Sequence, residues 1–381
     1  MNIALTFPDC HRRGGVERIM VECANFLARR GHAATVMSAG FDAGVLDPAV
    51  KQKQIPVRAT GAVGRLREFH AAASEELAAW HRAQEDPPSV HAAFGVISPP
   101  EGVLWVQSVH AEWIKLARAS RGFVGRLKQR LNPFHPYILS MERDYYRGRQ
   151  YRRLIALTPR VKQELIEHYA VPENDIAILP NGFNPDEFNP ARRSAERDVV
   201  RGELGYKSDD RVLLFVANEL ERKGFFPLTE AFAALKEPHV KLLVVGRVSL
   251  DSHQSLLGRL GVQGQVKCVG PSADVGRYFA AADLFVLPTY YEAWGLVIVE
   301  ALASGIPVLT SRLAGAAAAV REPANGLLLE NPKDPGEIGQ KLRQLLAAPP
   351  GDAAAISRSV EEYRWDRVLS GYEAILAQHC S

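Results

Sequence analysis

The feature that most limits the folds open to this chain is an alternation of short apolar runs with helix-spaced segments, met near the N-terminus and again beyond residue 210. Asn2–Phe7 is a short apolar run, followed by a loop that holds Gly14 and Gly15. Val16–Arg29 then places Val16, Ile19, Met20, Cys23 and Leu27 at helical spacing, and Gly31 ends that segment before the strand Ala34–Ser38. A strand–helix–strand opening of this kind calls for a right-handed crossover and a parallel sheet. Gly102–Val109, ending near His110, Tyr151–Leu157 and Ile176–Leu179 read as further strands, and Pro159–Tyr169 as a helix. Pro180-Asn181-Gly182 is a strong turn signal, and the charged stretch Phe188–Asp198 has the composition of a linker. A second series follows, with strands at Val212–Val216, Lys241–Gly246, Val266–Val269, Leu284–Pro288 and Pro307–Thr310. Helices are expected between and after them at Leu228–Leu235, Gln254–Leu260, Asp274–Ala281, Gly295–Ser304 and Glu337–Leu346. At 381 residues the chain has room for two domains of roughly 150–200 residues each. The expected class is α/β, with two doubly wound parallel-sheet (Rossmann-like) domains facing across a cleft, at 1–180 and 181–362. Ligands in such sheets sit at the carboxyl ends of the strands.

Composition narrows the surroundings. The net charge is +3, 47% of residues are hydrophobic and 23% charged, so each half can bury a core. Cys10, Cys23, Cys268 and Cys380 are far apart and form no CxxC pair, which suits reduced thiols in a cytosolic protein. Met1–Phe7 lacks the basic start and small-residue cleavage site of a signal peptide. No apolar stretch approaches the roughly 20 residues that span a bilayer. The expected location is the cytoplasm. From Lys115 to Arg153 there are eleven Lys or Arg against Glu142 and Asp144. Such a run suits nucleic acid, anionic lipid or a phosphorylated acceptor, or is a solvated helix face.

The residues that point to chemistry lie mostly in the second half. In the string Tyr290–Val308, Glu292 and Glu300 stand eight apart with Gly295 between them, where a helix must begin. The amides of Gly295, Leu296 and Val297 are then orphan donors at a helix N-terminus, and both the N–H groups and the macrodipole favour an anion. The strand Val212–Val216 runs into Ala217-Asn218-Glu219-Leu220-Glu221-Arg222-Lys223-Gly224. Adjacent Arg222 and Lys223 just past a strand end suit a diphosphate, one as a planar fork and the other as a mobile point charge. In the first half, Gly14 and Gly15 precede a helix, and His110 closes the strand holding Trp105 to Val109.

Together these residues resemble the Glu-x7-Glu motif and its companions in retaining glycosyltransferases of the GT-B fold, the large family 4 of group 1 type. The variant is similar to the lipopolysaccharide-core glucosyltransferase branch. The resemblance implies that Glu292 contacts the donor sugar's hydroxyls and Glu300 the nucleotide ribose. It implies that Arg222 and Lys223 clamp the diphosphate, with Asn218 standing where many members carry arginine. Gly14-Gly15-Val16-Glu17-Arg18 matches the family's Gly-Gly-x-Glu-Arg, where the backbone approaches the donor, and His110 matches a histidine near the sugar's C6 hydroxyl. Asn181-Gly182 with Phe188 resembles the hinge signature, and Tyr363-Arg364-Trp365-Asp366 the start of a last helix, 363–381, that crosses back to the first domain. One feature departs: Gly315-Ala316-Ala317-Ala318-Ala319-Val320 has alanine where the family has an acid. Acceptors bind on the N-terminal side in this family, which implicates Trp113 and Lys115. Tyr145, Tyr146 and Tyr151 interleave with arginines there, as on a surface meeting glycolipid or an anionic leaflet.

The implied activity is retaining transfer of a hexose-type sugar from a nucleotide diphosphate sugar, UDP rather than GDP, to a hydroxyl of a glycan, glycolipid or small-molecule acceptor. There is no Asp-x-Asp motif and no cluster with metal-ligand spacing, so neither metal nor cofactor is expected, the nucleotide sugar being a substrate. A nicotinamide dehydrogenase would need Gly-x-Gly-x-x-Gly directly after the first strand. A sugar-nucleotide epimerase on the same fold would turn over donor without acceptor, and a non-catalytic nucleotide-sugar binding protein would not need all of Glu292, Glu300, Arg222 and Lys223. Nucleic acid is not expected, because no recognised motif accompanies the basic run.

Overall fold

The computed structural model describes residues 1–84, 88–120 (backbone alone at 118–120), 130–272, 274–347 and 351–380. They form two compact units, Met1–Asn181 with Asp366–Ser381, and Gly182–Trp365.

The first unit is built on strands β1 (Asn2–Thr6), β3 (Ala33–Ser38), β5 (Lys51–Gln54), β6 (Ser89–Phe94), β7 (Gly102–Val106), β8 (Tyr151–Ala156) and β9 (Ile176–Ile178). They form one sheet in the order β5-β3-β1-β6-β7-β8-β9, every pair parallel. The central strands β1, β6 and β7 are buried along their whole length, as parallel strands covered on both faces must be. At the edge, β5 reads Lys-Gln-Lys-Gln and is exposed throughout, a composition that discourages pairing with another chain. The chain adds strands outward from β1 to β5, then returns to lay β6 to β9 on the other side. The reversal falls between β1 and β6, and a short parallel pair, β2 (Asp9–Cys10) with β4 (Gly40–Phe41), sits just beyond the ends of β1 and β3.

The second unit repeats the plan with β10 (Arg211–Val216), β11 (Val240–Val245), β12 (Val266–Cys268), β13 (Leu284–Leu287), β14 (Val308–Ser311) and β15 (Gly326–Leu329). The order is β12-β11-β10-β13-β14-β15, all parallel, with Leu213 opposite Leu284 and Leu214 opposite Phe285 across the reversal.

Three sequence expectations are corrected. Phe188–Asp198 is no linker: a helix runs over Pro190–Leu204, with Asn189 as N-cap accepting from the Arg192 amide at 2.8 Å and Pro190 in the first turn. Its charges are structural, since Arg197 and Arg201 donate to the carbonyls of Ala280 to Ala282 and pair with Asp283. The strand expected to reach Val109 stops at Val106, and His110 opens a helix, His110–Ser120. Tyr145 and Tyr146 are fully buried on the helix Phe134–Arg147 instead of facing a membrane, and the Tyr145 hydroxyl donates to the Pro99 carbonyl at 2.8 Å. The basic run is largely paired within its own unit where it is described: Lys115 with Glu112, Arg149 with Asp175, and Arg147, Arg152 and Arg153 with the carbonyls of His168, His379 and Asn174. Residues 121–129 of it lie outside the described residues. No helix among the described residues is long and apolar enough to cross a membrane.

Candidate active site

In the second unit, the reversal of strand order sets the carboxyl ends of β10 and β13 side by side, the place where such sheets take ligands. The two loops that leave them are sewn together at short range. Gly224, at φ +79°, lies so close to the other loop that a Cβ would stand 2.0 Å from the Pro288 carbonyl oxygen, so only glycine permits the approach. The Arg222 carbonyl accepts from the Tyr290 amide at 2.8 Å and from the Thr289 hydroxyl at 3.3 Å.

This stitching brings three charges together. Arg222 Nη1 donates to the Tyr291 carbonyl at 2.7 Å and lies 3.5 Å from Glu292 Oε2, while its Nε reaches Glu219 at 3.0 Å. Lys223 Nζ contacts the same Glu292 oxygen. The Lys223 and Glu292 side chains are only 12% and 19% exposed, so water screens them little. Burial, and then the adjacent guanidinium, push Lys223 well below the ordinary lysine range. The Glu219 carboxylate opposes that shift. The result is two cations shared between Glu292 and the half-exposed Glu219, for which an incoming anion would compete.

Four residues beyond Glu292, the helix Leu296–Ala303 begins. Gly295 is its N-cap at φ +102° and no side chain caps it, which leaves first-turn amides open. A Cβ on Gly295 would meet Ile298 Cδ1 at 3.0 Å and Glu292 Cγ at 3.1 Å, so the glycine also sets the distance between the acid and the helix. Glu300 is inside this helix and 1% exposed. The alanine loop forms a single-turn helix, Gly315–Ala319, clasped to the acid's own strand-like backbone: Gly315 N donates to the Glu292 carbonyl at 2.9 Å and Ala316 N to that of Trp294 at 2.8 Å. Asn218 accepts from the Arg247 amide at 2.8 Å and so ties the end of β10 to the end of β11.

The remaining sequence candidates lie in the first unit. Gly14 is the N-cap of the helix Gly15–Arg29, and a Cβ there would strike the Glu17 carboxylate at 2.0 Å; Gly15 has nothing within 4 Å of its missing Cβ. His110 forms a triangle of rings with Trp113 and His135, with centres 5.2–5.3 Å apart, and its Nε2 lies 3.1 Å from His135 Nδ1. Burial and His135 lower its pKa to about 4, so it is neutral at pH 7. Lys115 is exposed and tied to Glu112 at 2.9 Å, which also takes His168 Nε2 at 2.8 Å.

Sequence reasoning missed what holds His110 in place. Glu142 is buried, and its carboxylate accepts from the amides of His110 at 2.6 Å and Ala111 at 3.1 Å and from the Tyr169 hydroxyl at 2.5 Å. It satisfies the orphan donors of a helix start from a distant helix, and burial raises its pKa. The only hint was that Glu142 is one of two acids among the eleven bases of the Lys115–Arg153 run. Among the described residues no group of three or more His, Cys, Asp or Glu could hold a metal ion.

Known proteins similar to this chain agree with one another. Residues 13–187 match the profile of Glycosyltransferase Family 4, and residues 196–362 that of Glycosyl transferases group 1. The lipopolysaccharide glucosyltransferase WaaG of Escherichia coli K12 is 28% identical over 340 residues, 88% of this chain and 87% of that one. A D-inositol 3-phosphate glycosyltransferase of Nocardiopsis dassonvillei is 30% identical over 378 residues, 90% of this chain and 83% of its own. A crystal structure of WaaG, a glycosyltransferase involved in lipopolysaccharide biosynthesis, superposes with a TM-score of 0.80 at 25% identity, over 98% of this chain and 99% of the other. Anabaena HepE, solved in complex with UDP-glucose, shares the fold with a TM-score of 0.73 at 18% identity, over 99% of this chain and 100% of its own. The chain belongs to glycosyltransferase family 4, of the group 1 type, and is a glycosyltransferase of the GT-B fold.

Proposed function

We propose that this glycosyltransferase moves a hexose from a UDP-sugar to a hydroxyl of a glycan, glycolipid or small-molecule acceptor, with retention at the anomeric carbon and without a metal or other cofactor. The observation that carries the reading is the convergence of Arg222, Lys223 and Glu292 beside the open helix start at Gly295. A sugar diphosphate has the matching parts: a leaving group that gains negative charge and hydroxyls that seek a carboxylate. In this reading Arg222, Lys223 and the amides at Gly295, Leu296 and Val297 take the diphosphate, Glu292 the sugar, and Glu300 the ribose. The acceptor oxygen bonds to the anomeric carbon as the bond from that carbon to the phosphate oxygen breaks, and the acceptor's proton goes to the released diphosphate. Gly14, Gly15 and neutral His110 approach and position the donor. Asn218 braces the loop, and Trp113 and Lys115 belong to the acceptor side. The UDP-glucose of HepE supports UDP as the nucleotide, and the glucosyltransferase WaaG supports a hexose as the group moved.

A thermal-shift screen tests the donor: UDP and UDP-glucose should raise the melting temperature, since a ligand that binds only the folded state stabilises it, while GDP-mannose should not. Equal shifts with GDP-sugars would remove the UDP assignment, and NMR of the product's anomeric configuration decides retention. A cytoplasmic enzyme with peripheral contact to an anionic leaflet fits the basic run, whose Lys115 is exposed. Unchanged sedimentation with anionic vesicles at low salt would remove the membrane contact.

A further inference from the structure

Arg222 offers a phosphate less than its five N–H donors suggest, because the chain itself engages two sides of the guanidinium. On one side Nη1 donates to the Tyr291 carbonyl at 2.7 Å, with Glu292 Oε2 at 3.5 Å. That carbonyl is fixed, since it also accepts from the Thr289 hydroxyl at 3.1 Å within the stitched loops. On the other side Nε donates to Glu219 Oε2 at 3.0 Å. Nε and the neighbouring Nη2 make an edge that can grip a carboxylate or a phosphate with two parallel hydrogen bonds. Glu219 therefore stands on an edge that a diphosphate would take.

The two acids at Arg222 differ in how firmly they are held. Glu292 is in contact with Lys223 Nζ, and its own carbonyl is clasped by the Gly315 amide. Glu219 is 50% exposed and stands between β10 and the helix Phe225–Ala233. Among the described residues its carboxylate hydrogen-bonds to Arg222 alone. Rotation about its side-chain bonds carries it into water, and an ion pair so exposed exchanges at little cost. The other charges nearby do not compete for that edge. Glu221 and Glu230 lie within electrostatic reach of Tyr290, and Lys333 stands over that ring at 5.0 Å. Glu300 is buried in its helix, and Arg247, exposed at the end of β11, adds a further cation near the same strand ends.

We propose that Glu219 is an internal competitor of the donor: it holds the phosphate-gripping edge of Arg222, swings into solvent when the diphosphate binds, and so sets how tightly nucleotide is held. The inference rests on the assignment of Arg222 to the diphosphate. The same exchange run backward assists release, since Glu219 returns to Arg222 as the nucleoside diphosphate leaves. Lys223 keeps a partner throughout, because the Glu292 carboxylate is in contact with its Nζ. Isothermal titration calorimetry of the full chain with UDP and with GDP tests this, the exchange concerning the diphosphate and not the base. Glu219→Gln keeps the shape and removes the charge. It should bind the diphosphate about two- to fivefold more tightly than wild type, the factor by which an exposed ion pair reduces the share of free Arg222. Glu221→Gln removes the same charge two residues on and should bind as wild type does. Both side chains are exposed, so both variants should melt like the parent. Binding by Glu219→Gln that is unchanged or weaker would overturn the proposal and make Glu219 a brace for Arg222. Equal tightening in both variants would overturn it too, the effect then being one of overall charge. Those failures leave nucleotide binding by the wild type intact, whereas a wild type that binds neither nucleotide would remove the diphosphate assignment itself and the proposal with it.

Discussion

Lys223 sits where an ammonium is disfavoured by burial and by the guanidinium beside it, with Glu219 compensating and the Glu292 carboxylate in contact. Such a group gains most when a dianion arrives. Arg222→Ala and Lys223→Ala should each lower turnover by about 10²–10³, as for the loss of one preorganised electrostatic donor. Steady-state rates near wild type in both variants would dismiss the clamp. Gly15 makes a gentler probe, because a Cβ there would enter open space. Gly15→Ala should therefore melt like the parent yet raise the donor KM, and an unchanged KM would mean that nothing approaches that backbone. Two histidines set a pH dependence. Burial lowers His91, whose Nε2 is 2.8 Å from the Thr6 hydroxyl, to about 3, and His110 is lowered to about 4, against 6.5 ordinarily. Below pH 6.5 the unfolded chain binds protons that the folded chain refuses, so folding stability falls as the pH drops from 6.5 toward 4. Glu142, shifted upward, opposes this, while His81 and His379 are lowered as well and add to it. The melting temperature should fall across that window and His110→Asn should flatten part of the decline; a level profile in the wild type would mean that the imidazoles are not held neutral.

The helix Leu296–Ala303 shows how one backbone position governs an acid that does not belong to the helix. Gly295→Ala would force a residue with a side chain to φ +102° and crowd Glu292 Cγ. The strain should reduce stability by about 1–3 kcal/mol. It should also raise the donor KM, as read in denaturant melts and steady-state assays side by side. Much of this segment was legible in advance, because a glycine before an apolar helical run and a pair of acids flanking it carry their meaning locally. So were Pro159–Tyr169, which the structure reproduces residue for residue, and the buried strands β10, β11 and β13, whose apolar runs are continuous. What stayed hidden depends on neighbours. β6, with His91 in mid-strand, lacks a β-branched run and is a strand because β1 and β7 flank it. β5 is wholly polar because an edge need not be buried. The helix Ala62–Arg82 did carry a signal in Leu66, Phe69, Ala73 and Leu77 at three- and four-residue steps. Glu142 is a helix cap supplied from thirty-odd positions away, and no local pattern announces that.

Each unit closes its own sheet, yet the first is completed by the last residues of the chain. Asp366–Ser381 belongs to it, and the helix Trp365–Gln378 supplies Tyr372, which stacks on Trp105 at 4.7 Å between ring centres and lies 6.4 Å from Phe94. Around that contact Glu373 takes His32 at 2.7 Å and Arg30 at 3.3 Å, and Arg152 donates to the His379 carbonyl. The apolar spacing of Tyr372, Ile375 and Leu376 announces a helix with a buried stripe, but the identity of what it covers exists only once β6 and β7 are paired. Tyr372 has no exposed surface, and its hydroxyl has no hydrogen-bond partner among the described residues. These two facts separate ring from hydroxyl. Tyr372→Phe removes a desolvated polar group without opening space and should be neutral or stabilising. Tyr372→Ala empties a ring-sized volume over Trp105 and should destabilise the first unit by about 3–5 kcal/mol. Denaturant unfolding followed by tryptophan fluorescence reads both, Trp105 being the reporter under the ring. Should Tyr372→Phe instead destabilise as much as the alanine variant, the stabilisation would lie in a polar contact of the hydroxyl and not in the aromatic stack.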